Sequence, residues 1–330
     1  MKRLYKAVIN ILRLIWHKTY IKYRNYRTAK RERDRWAEKK VSYGKDNPDK
    51  TFYVIRRREV KAGLFSYFLQ NVNDIKYALD RNWIPVIDLQ NELNMYIREE
   101  EVGSVNAWEY FFKQPFGYSL SDIRKSRNVV LGSGYLKECF PYKDISYITD
   151  FDGPFSEYRD IVRQYCRPTK EVQSILTDTM NRLGINDKTL GVLCRGTDYT
   201  TVKPHGHFIQ PAPEELFDEI DNLIRDNGCD RIFVATEDNE VFSKFKDKYG
   251  SLVVTNRESF VEYNGENSLG QKTKDSRSDL KNEGITYLTS MLILSKCRYF
   301  VGGATSGTVG VMLMAEGFNH CHVFDKGLYP

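Results

Sequence analysis

An arginine, a glycine and an acid follow an apolar segment in the second half of the chain. Residues 189–194 are mostly apolar and continue into Arg195 and Gly196, with Asp198 two residues further on. A guanidinium matches two phosphate oxygens at once, and a glycine lets the backbone approach a bound group. Asp198 can orient Arg195 or accept a proton from a substrate. These residue types predict a diphosphate site, with a salt bridge in a surface loop as the alternative.

A second apolar segment, 231–235, leads into Thr236, Glu237 and Asp238. Acids at the end of such a segment commonly contact the ribose or base of a nucleotide. Asp238 is also a good N-cap for a following helix, and its sequence context favours that structural role. Both interpretations stay open from the sequence.

A third segment ends in a loop of small residues, 302–308, that opens an apolar helix. The start of a helix offers free N–H groups and the positive end of its dipole, so this loop predicts an anion site that includes Gly303, Thr305 and Ser306. A tight turn that permits close helix packing is the alternative. The loop is not a P-loop, because no Gly-Lys-Ser/Thr follows it.

Two histidines, His205 and His207, stand shortly after Asp198. An imidazole with an ordinary pKa of roughly 6.5 suits proton acceptance at neutral pH. The base candidates are therefore Asp198, His205 and His207. An ordinary polar turn and a metal site built from the two histidines with a nearby acid are the other interpretations.

The elements that must position these residues alternate strand and helix, which predicts parallel sheets covered by helices. A break near residues 184–187 divides the chain into two Rossmann-like domains, 46–185 and 186–330. A cleft at the carboxyl ends of their strands would hold the ligand. The predicted strands are 52–56, 84–88, 128–131, 189–194, 231–235, 252–255, 299–302 and 321–324. The predicted helices are 64–81, 105–113, 154–165, 168–184, 213–227, 238–249, 283–296 and 306–317.

Composition excludes several classes of protein. With 330 residues, 41% hydrophobic and 28% charged, the chain can bury a sizeable core and is neither disordered nor collagen-like. No uncharged apolar stretch approaches ~18 residues, so no membrane-spanning helix is expected. The six cysteines form no C-x-x-C pair, which favours buried free thiols over disulfides or zinc.

Charge is concentrated at the start of the chain. Residues 1–40 carry fourteen Lys and Arg against three acids, whereas the whole chain has a net charge of +6. Leu4, Val8, Ile11 and Ile15 fall on one helical face. We expect 1–45 to be a basic amphipathic arm and linker that binds an anionic membrane surface through residues 1–40, which would place a cytoplasmic protein at the inner face of a membrane. Packing on the protein itself or on a partner is the main alternative; a nucleic-acid partner is not expected, because it would not need the apolar stripe.

Three runs together resemble a known family. Residues 191–198 (GVLCRGTD) are similar to the first motif of the α-1,6/α-1,2/O-fucosyltransferase superfamily. Residues 232–238 (IFVATED) resemble its second motif, and 292–307 (LILSKCRYFVGGATSG) its third. The similarity is greatest to the core α-1,6- and nodulation-fucosyltransferase branch and covers about the last 140 residues, with the N-terminal half matching only loosely.

This resemblance implies a GT-B fold, an inverting transfer from GDP-fucose to a glycan, and no metal cofactor. It assigns the donor diphosphate to Arg195, the neighbourhood of the sugar to Asp198 and that of the nucleoside to Asp238. It gives the donor-phosphate hydroxyls to Thr305 and Ser306, and makes 46–185 the acceptor-side domain and 186–330 the nucleotide-sugar-binding domain. From the residue types at the strand ends, Gly196, Thr236 and Gly303 are further donor-binding candidates. The chain departs from the family pattern at Leu193, where a histidine is usual, and at Ser290, where an acid is common. It also departs a few residues after Asp198, where residues 203–207 (KPHGH) stand in place of an expected acidic base.

The polar segment 257–282 is long enough to predict a lid over the donor, in which Arg277 or Lys274 would contact phosphate. Two other functions remain open. Asp150 and Asp152 resemble the metal-binding D-x-D of GT-A glycosyltransferases. The missing motif histidine and acidic base also fit a non-catalytic, membrane-tethered module that binds a sugar or nucleotide.

Overall fold

The computed structural model describes residues 21–58, 62–134, 139–196, 202–260 and 280–330. The described part of the arm is helix α1, which covers residues 21–36 and exposes nearly all of its side chains. Trp36 is the exception and is buried against the body. The predicted apolar stripe from Leu4 to Ile15 lies outside the described residues.

The first sheet has four strands in the order β1-β4-β2-β3, in which only β1 runs antiparallel to its neighbour. Helix α2 covers one face, because its apolar residues recur at helical spacing and pack on the odd-numbered side chains of β2, such as Tyr53 and Ile55. The strands are β1 (Lys39–Val41), β2 (Asp46–Arg56), β3 (Ile84–Asp88) and β4 (Ser126–Leu131), and α2 spans Leu64–Leu79.

Five helices complete the described part of this half of the chain. The last of them, α7, begins where the side chain of Thr169 accepts a hydrogen bond from the N–H of Val172, and it ends at Gly184 in the left-handed conformation. These helices are α3 (Trp108–Phe111), α4 (Leu120–Ile123), α5 (Ile145–Thr149), α6 (Phe155–Tyr165) and α7 (Lys170–Leu183).

The second sheet has five strands, all parallel, in the order β7-β6-β5-β8-β9. Its central strands are buried on both faces and are correspondingly apolar after their first residues, Thr189 and Arg231. The strands are β5 (Thr189–Leu193), β6 (Arg231–Ala235), β7 (Val253–Val254), β8 (Tyr299–Gly303) and β9 (His320–Phe324). The helices are α8 (Pro213–Asn227), α9 (Asn239–Tyr249), α10 (Leu280–Leu294) and α11 (Ser306–Met314).

One hydrophobic core extends across both halves of the chain. Helix α11 packs directly on α2, where Gly310 lies so close to the ring of Phe65 that an added Cβ would be 2.1 Å from it. Phe65 also meets Tyr287 of α10 edge-on, with 5.4 Å between ring centroids. Helix α11, which follows the small-residue loop, is therefore anchored on the N-terminal half.

The structure confirms the predicted α/β fold class with its basic N-terminal helix, and the strands 84–88 and 231–235 and the helix 213–227 have the predicted bounds. The turn-forming residues Gly44, Asp46, Asn47 and Pro48 predict a linker over 41–50. This prediction is wrong in part, because 46–50 belongs to β2 and is joined to β4 through a register shift. Helix 105–113 shortens to Trp108–Phe111. The domain boundary near 185 stays a prediction.

All six cysteines are free thiols, as expected, and four of them are buried. Among the described residues, no helix is both long and apolar enough for a bilayer crossing.

Candidate functional site

The register of the second sheet aligns the carboxyl ends of its strands β5, β6 and β8. Leu193 lies opposite Ala235 of β6 on one side and opposite Gly302 of β8 on the other. The segments that follow β5, β6 and β8 therefore leave the sheet side by side. The three motifs singled out in the sequence meet at this edge.

Arg195 leaves the end of β5 and pairs with Glu237, which follows β6. Its Nε lies 3.2 Å from the Oε1 of Glu237, and the two side chains are 21% and 16% exposed. The pair is thus accessible at its outer side while the carboxylate holds the guanidinium in place. Glu237 was not among the predicted site residues. Its place inside the second motif, directly before Asp238, is the sequence signal that could have identified it.

Gly196 packs directly on Asp238, because a Cβ at Gly196 would lie 2.3 Å from Oδ2 of Asp238. The Oδ1 atom of Asp238 accepts hydrogen bonds from the N–H groups of Glu240 (2.8 Å) and Val241 (3.2 Å), so this carboxylate caps α9. The buried hydroxyl of Thr236 accepts a hydrogen bond from the N–H of Asp238. Asp238 therefore has the structural role that its sequence context favoured, at the rim of the predicted site.

The loop after β8 is fixed by a reciprocal capping box. The Thr305 hydroxyl accepts a hydrogen bond from the N–H of Thr308 at 3.0 Å, and the Thr308 hydroxyl accepts one from the N–H of Thr305 at 3.1 Å. Both threonines are buried. Ser306 and Gly307 precede the first intrahelical bond, so their N–H groups have no partner within α11. Ser306 is half-buried and carries the hydroxyl at this helix start.

Gln210 holds this loop from the opposite side. Its amide nitrogen donates to the carbonyl of Ala304 at 2.7 Å and to that of Phe208 at 3.2 Å, while its Oε1 is buried without a hydrogen-bond partner. Gly303 leaves room for it, since a Cβ there would lie 2.5 Å from that Oε1. No pattern in the sequence marked Gln210, because its role depends on two segments about a hundred residues apart.

His205 and His207 lie in an exposed turn and not at a strand end. Gly206 between them has a positive φ of 71°. Its carbonyl accepts a hydrogen bond from Nζ of Lys143 at 2.8 Å, and its N–H donates to the carbonyl of Tyr329 at 2.8 Å. The turn is therefore held between a residue of the N-terminal half and the end of the chain.

Three predicted residues, Asp198, Lys274 and Arg277, and most of the predicted lid lie outside the described residues. The described start of that lid segment contains Arg257, whose Nη1 is 3.4 Å from Oε2 of Glu283. Residues 280–282 belong to helix α10 and not to a loop. Ser290, at the position where an acid is common, donates to Oδ1 of Asn256 at 2.8 Å.

The D-x-D run lies in the connection between helices α5 and α6. The Oδ1 atom of Asp150 accepts hydrogen bonds from the N–H groups of Asp152 (3.2 Å) and Gly153 (2.9 Å). Asp150 thus stabilises a local turn, and both acids are exposed.

Burial raises the pKa of the Cys194 thiol, and the neighbouring carboxylates of Glu237 and Asp238 raise it further. Cys194 directly precedes Arg195, yet its thiol stays protonated at neutral pH. It does not supply a thiolate nucleophile at this site.

No protein-family model matches the chain, and no curated protein matches it. Among solved structures, the fucosyltransferase NodZ from Bradyrhizobium is 13% identical with a TM-score of 0.44, over 81% of this chain and 94% of that one. POFUT1 in complex with GDP-fucose is 11% identical with a TM-score of 0.47, over 83% and 98%. A variant of Arabidopsis thaliana FUT1 in complex with GDP is 12% identical with a TM-score of 0.46, over 86% and 72%. These proteins are GT-B fucosyltransferases, the family whose motifs the sequence resembles.

Proposed function

We propose that this protein is an inverting, metal-independent glycosyltransferase that transfers fucose from GDP-fucose to a glycan. One observation carries the proposal: Arg195 and the start of α11 stand at the ends of neighbouring strands, whose residues Leu193 and Gly302 are paired. A diphosphate between them would meet a guanidinium on one side and free N–H groups on the other. The choice of guanine and fucose rests on the motif resemblance alone.

Transfer requires that the bond between the anomeric carbon and the diphosphate break while the acceptor hydroxyl attacks from the opposite face. The electron pair passes to the leaving phosphate, whose growing charge Arg195 and the N–H groups of Ser306 and Gly307 stabilise without a metal ion. Glu237 positions Arg195 for this task. The acceptor proton goes to Asp198, His205 or His207.

The acceptor is proposed to be a growing polysaccharide or glycoconjugate at a membrane surface. Helix α1 supports this placement, since its basic residues point into solvent instead of packing on the body. Attraction of a basic segment to anionic lipid contributes about 1 kcal/mol per residue near the surface. The proposal thus places the enzyme in the cytoplasm, on the inner face of a membrane.

Thermal unfolding in the presence of GDP, UDP and phosphate tests the donor assignment. We expect GDP to raise the melting temperature more than UDP or phosphate, since a ligand at a hundred times its Kd stabilises by roughly 2.7 kcal/mol. GDP release from GDP-fucose, followed by product analysis, then tests transfer. A shift with UDP-sugars and none with GDP would refute the donor assignment.

Two further outcomes separate the alternative functions. GDP binding without any release of GDP from GDP-fucose would favour the non-catalytic module. Loss of transfer in EDTA, restored by Mn²⁺ and abolished by Asp150→Asn, would favour the metal-dependent GT-A interpretation. We expect transfer to continue in EDTA at a temperature where the protein stays folded.

The membrane proposal is tested with the full chain. Replacing Arg24, Arg27, Lys30 and Arg31 by glutamine removes four positive charges from the exposed helix α1. We expect weaker binding to anionic vesicles, unchanged transfer to a soluble acceptor, and little binding of either protein to neutral vesicles. Equal binding of both proteins to anionic vesicles would show that α1 has another role.

A further inference from the structure

Two histidines and a glutamate meet on the second sheet, outside the candidate donor site. The ligand atoms of Glu219, His320 and His322 all lie within 4.8 Å of one another. We propose that they bind a single divalent transition-metal ion of the zinc class, which fastens edge strand β9 to helix α8. This proposal is independent of the donor assignment.

The alternation of side chains along β9 puts both histidines on the same face. His320, His322 and Phe324 are two residues apart, and Phe324 packs on the core cluster that α8 helps to form. Cys321 points to the other face, where its Sγ lies 3.8 Å from the sulfur of Met312 in α11. The two imidazoles therefore face α8, which carries Glu219.

The contact between His320 and Glu219 is close but is not a hydrogen bond. Nε2 of His320 lies 2.6 Å from Oε1 of Glu219. That nitrogen is shielded from solvent, and its geometry does not satisfy a hydrogen bond. A buried ring nitrogen without a hydrogen bond, beside a carboxylate oxygen, is suited to donate its lone pair to a cation.

The donor set selects the class of ion. Two imidazole nitrogens and one carboxylate oxygen suit zinc and neighbouring transition metals, whereas magnesium and calcium prefer oxygen ligands alone. Zinc takes such ligands at about 2.0–2.2 Å, and the three ligand atoms lie within 4.8 Å of one another, close enough for side-chain movement to bring them to one ion. A fourth position remains for water.

Local charge favours a cation. Among the described residues, Glu219 forms an ion pair only with His320, while the next acid on the same side of α8, Glu215, is paired with Lys326. Of the two other acids near Glu219 in α8, Asp221 is paired with Lys248, whereas Asp218 is exposed. The carboxylate of Glu219 is thus available to a metal ion.

A metal on β9 would also affect the end of the chain. After β9, Tyr329 donates its N–H to the carbonyl of His207 at 2.8 Å, and Leu328 forms a bridge with Phe208. Fixing β9 on α8 therefore supports the tail that holds the turn containing His205.

The experiment uses the untagged full chain, stripped with EDTA and then titrated with Zn²⁺ at pH 7.5. We expect one zinc ion per chain and a rise in melting temperature. His322→Ala and Glu219→Gln should each lower the affinity at least about tenfold. Asp218→Asn, which removes an exposed carboxylate from the same helix, should bind zinc like the original chain.

Co²⁺ provides a second measurement, because its visible absorption reports nitrogen and oxygen ligands directly in the folded original chain. A cobalt spectrum that weakens in Glu219→Gln supports the site even if His322→Ala folds poorly. Failure of the original chain to bind zinc, or equal binding by a folded His322→Ala, would overturn the proposal. Loss of zinc binding in His205→Ala, with His322→Ala unaffected, would also overturn it.

Discussion

Both halves of the chain place an arginine at or next to the end of a central parallel strand, but the surroundings of the two differ. Arg57 follows β2, and its Nη1 lies 2.6 Å from Oδ2 of Asp74, with the two side chains only 4% and 5% exposed. Arg195 follows β5, pairs with Glu237 at 3.2 Å and stays partly exposed. The same residue type at the same place in the architecture is thus enclosed in one half and accessible in the other.

The difference shows why a strand-end arginine is not in itself a binding site. The Nε and Nη2 atoms of Arg57 and Oδ1 of Asp74 have no hydrogen-bond partner, so this buried pair is incompletely satisfied and its role is structural. Arg195 keeps 21% of its side chain exposed, and the start of α11 follows the neighbouring strand β8. Accessibility together with a second anion-binding element distinguishes the two.

The largest expected effect is on the stability of the N-terminal half. Arg57→Met leaves the charge of Asp74 buried without a counter-ion, which should lower the free energy of unfolding by about 3–5 kcal/mol. Urea denaturation measures the loss. In the double variant with Asp74→Leu most of the stability should return, because no charge is then buried. Unchanged stability of Arg57→Met would show that the buried pair of Arg57 and Asp74 does not stabilise the N-terminal half.

The next effect is on catalysis and concerns the C-terminal half. Arg195→Ala should reduce the rate of transfer by about 10²–10³ while the protein remains folded, since it removes a donor to the leaving diphosphate. Arg225→Ala is the matched control, because Arg225 is an exposed arginine paired with Asp226 on the surface of α8. Retention of more than about a tenth of the original rate by Arg195→Ala would contradict the assignment.

Two N-cap threonines allow a helix start at the candidate site to be compared with one that is purely structural. Thr305 caps α11 at the candidate site, and Thr169 caps α7 away from it, with its Oγ1 3.3 Å from the N–H of Val172. Each substitution by alanine should cost about 0.5–2 kcal/mol of stability. Only Thr305→Ala should also weaken the GDP-induced thermal shift. Equal weakening by both variants would show that the loop has no specific part in binding.

The smallest expected effect is the same in both halves. Burial raises the pKa of Cys139 in the first half and of Cys297 in the second, each to about 12. At pH 8, four units below these values, both thiols are protonated and should not react with a disulfide reagent. Absorbance after mixing should show almost no rapid reaction in the native protein and six thiols after denaturation. Fast labelling of Cys139 alone would show that the first half opens more readily.

Local pattern was sufficient for much of the fold. The strand 231–235 and the helix 213–227 were predicted with their bounds, because apolar periodicity and end signals such as Pro213 and Gly228 are properties of neighbouring residues. The pattern was insufficient at 46–50, where turn-forming residues are joined to β4 across a register shift. Pairing with another strand decided that segment, and the segment alone does not encode it.

The alternation of elements, the basic arm and the residue types at the strand ends, including Arg195 and the start of α11, were predictable from the chain itself. The enclosure of Arg57, the hold of Gln210 on the loop after Gly303 and the meeting of Glu219 with two histidines about a hundred residues away emerged from the folded structure. Residue type and spacing set local conformation and charge. Burial, register and the meeting of distant side chains depend instead on how the finished elements pack against one another.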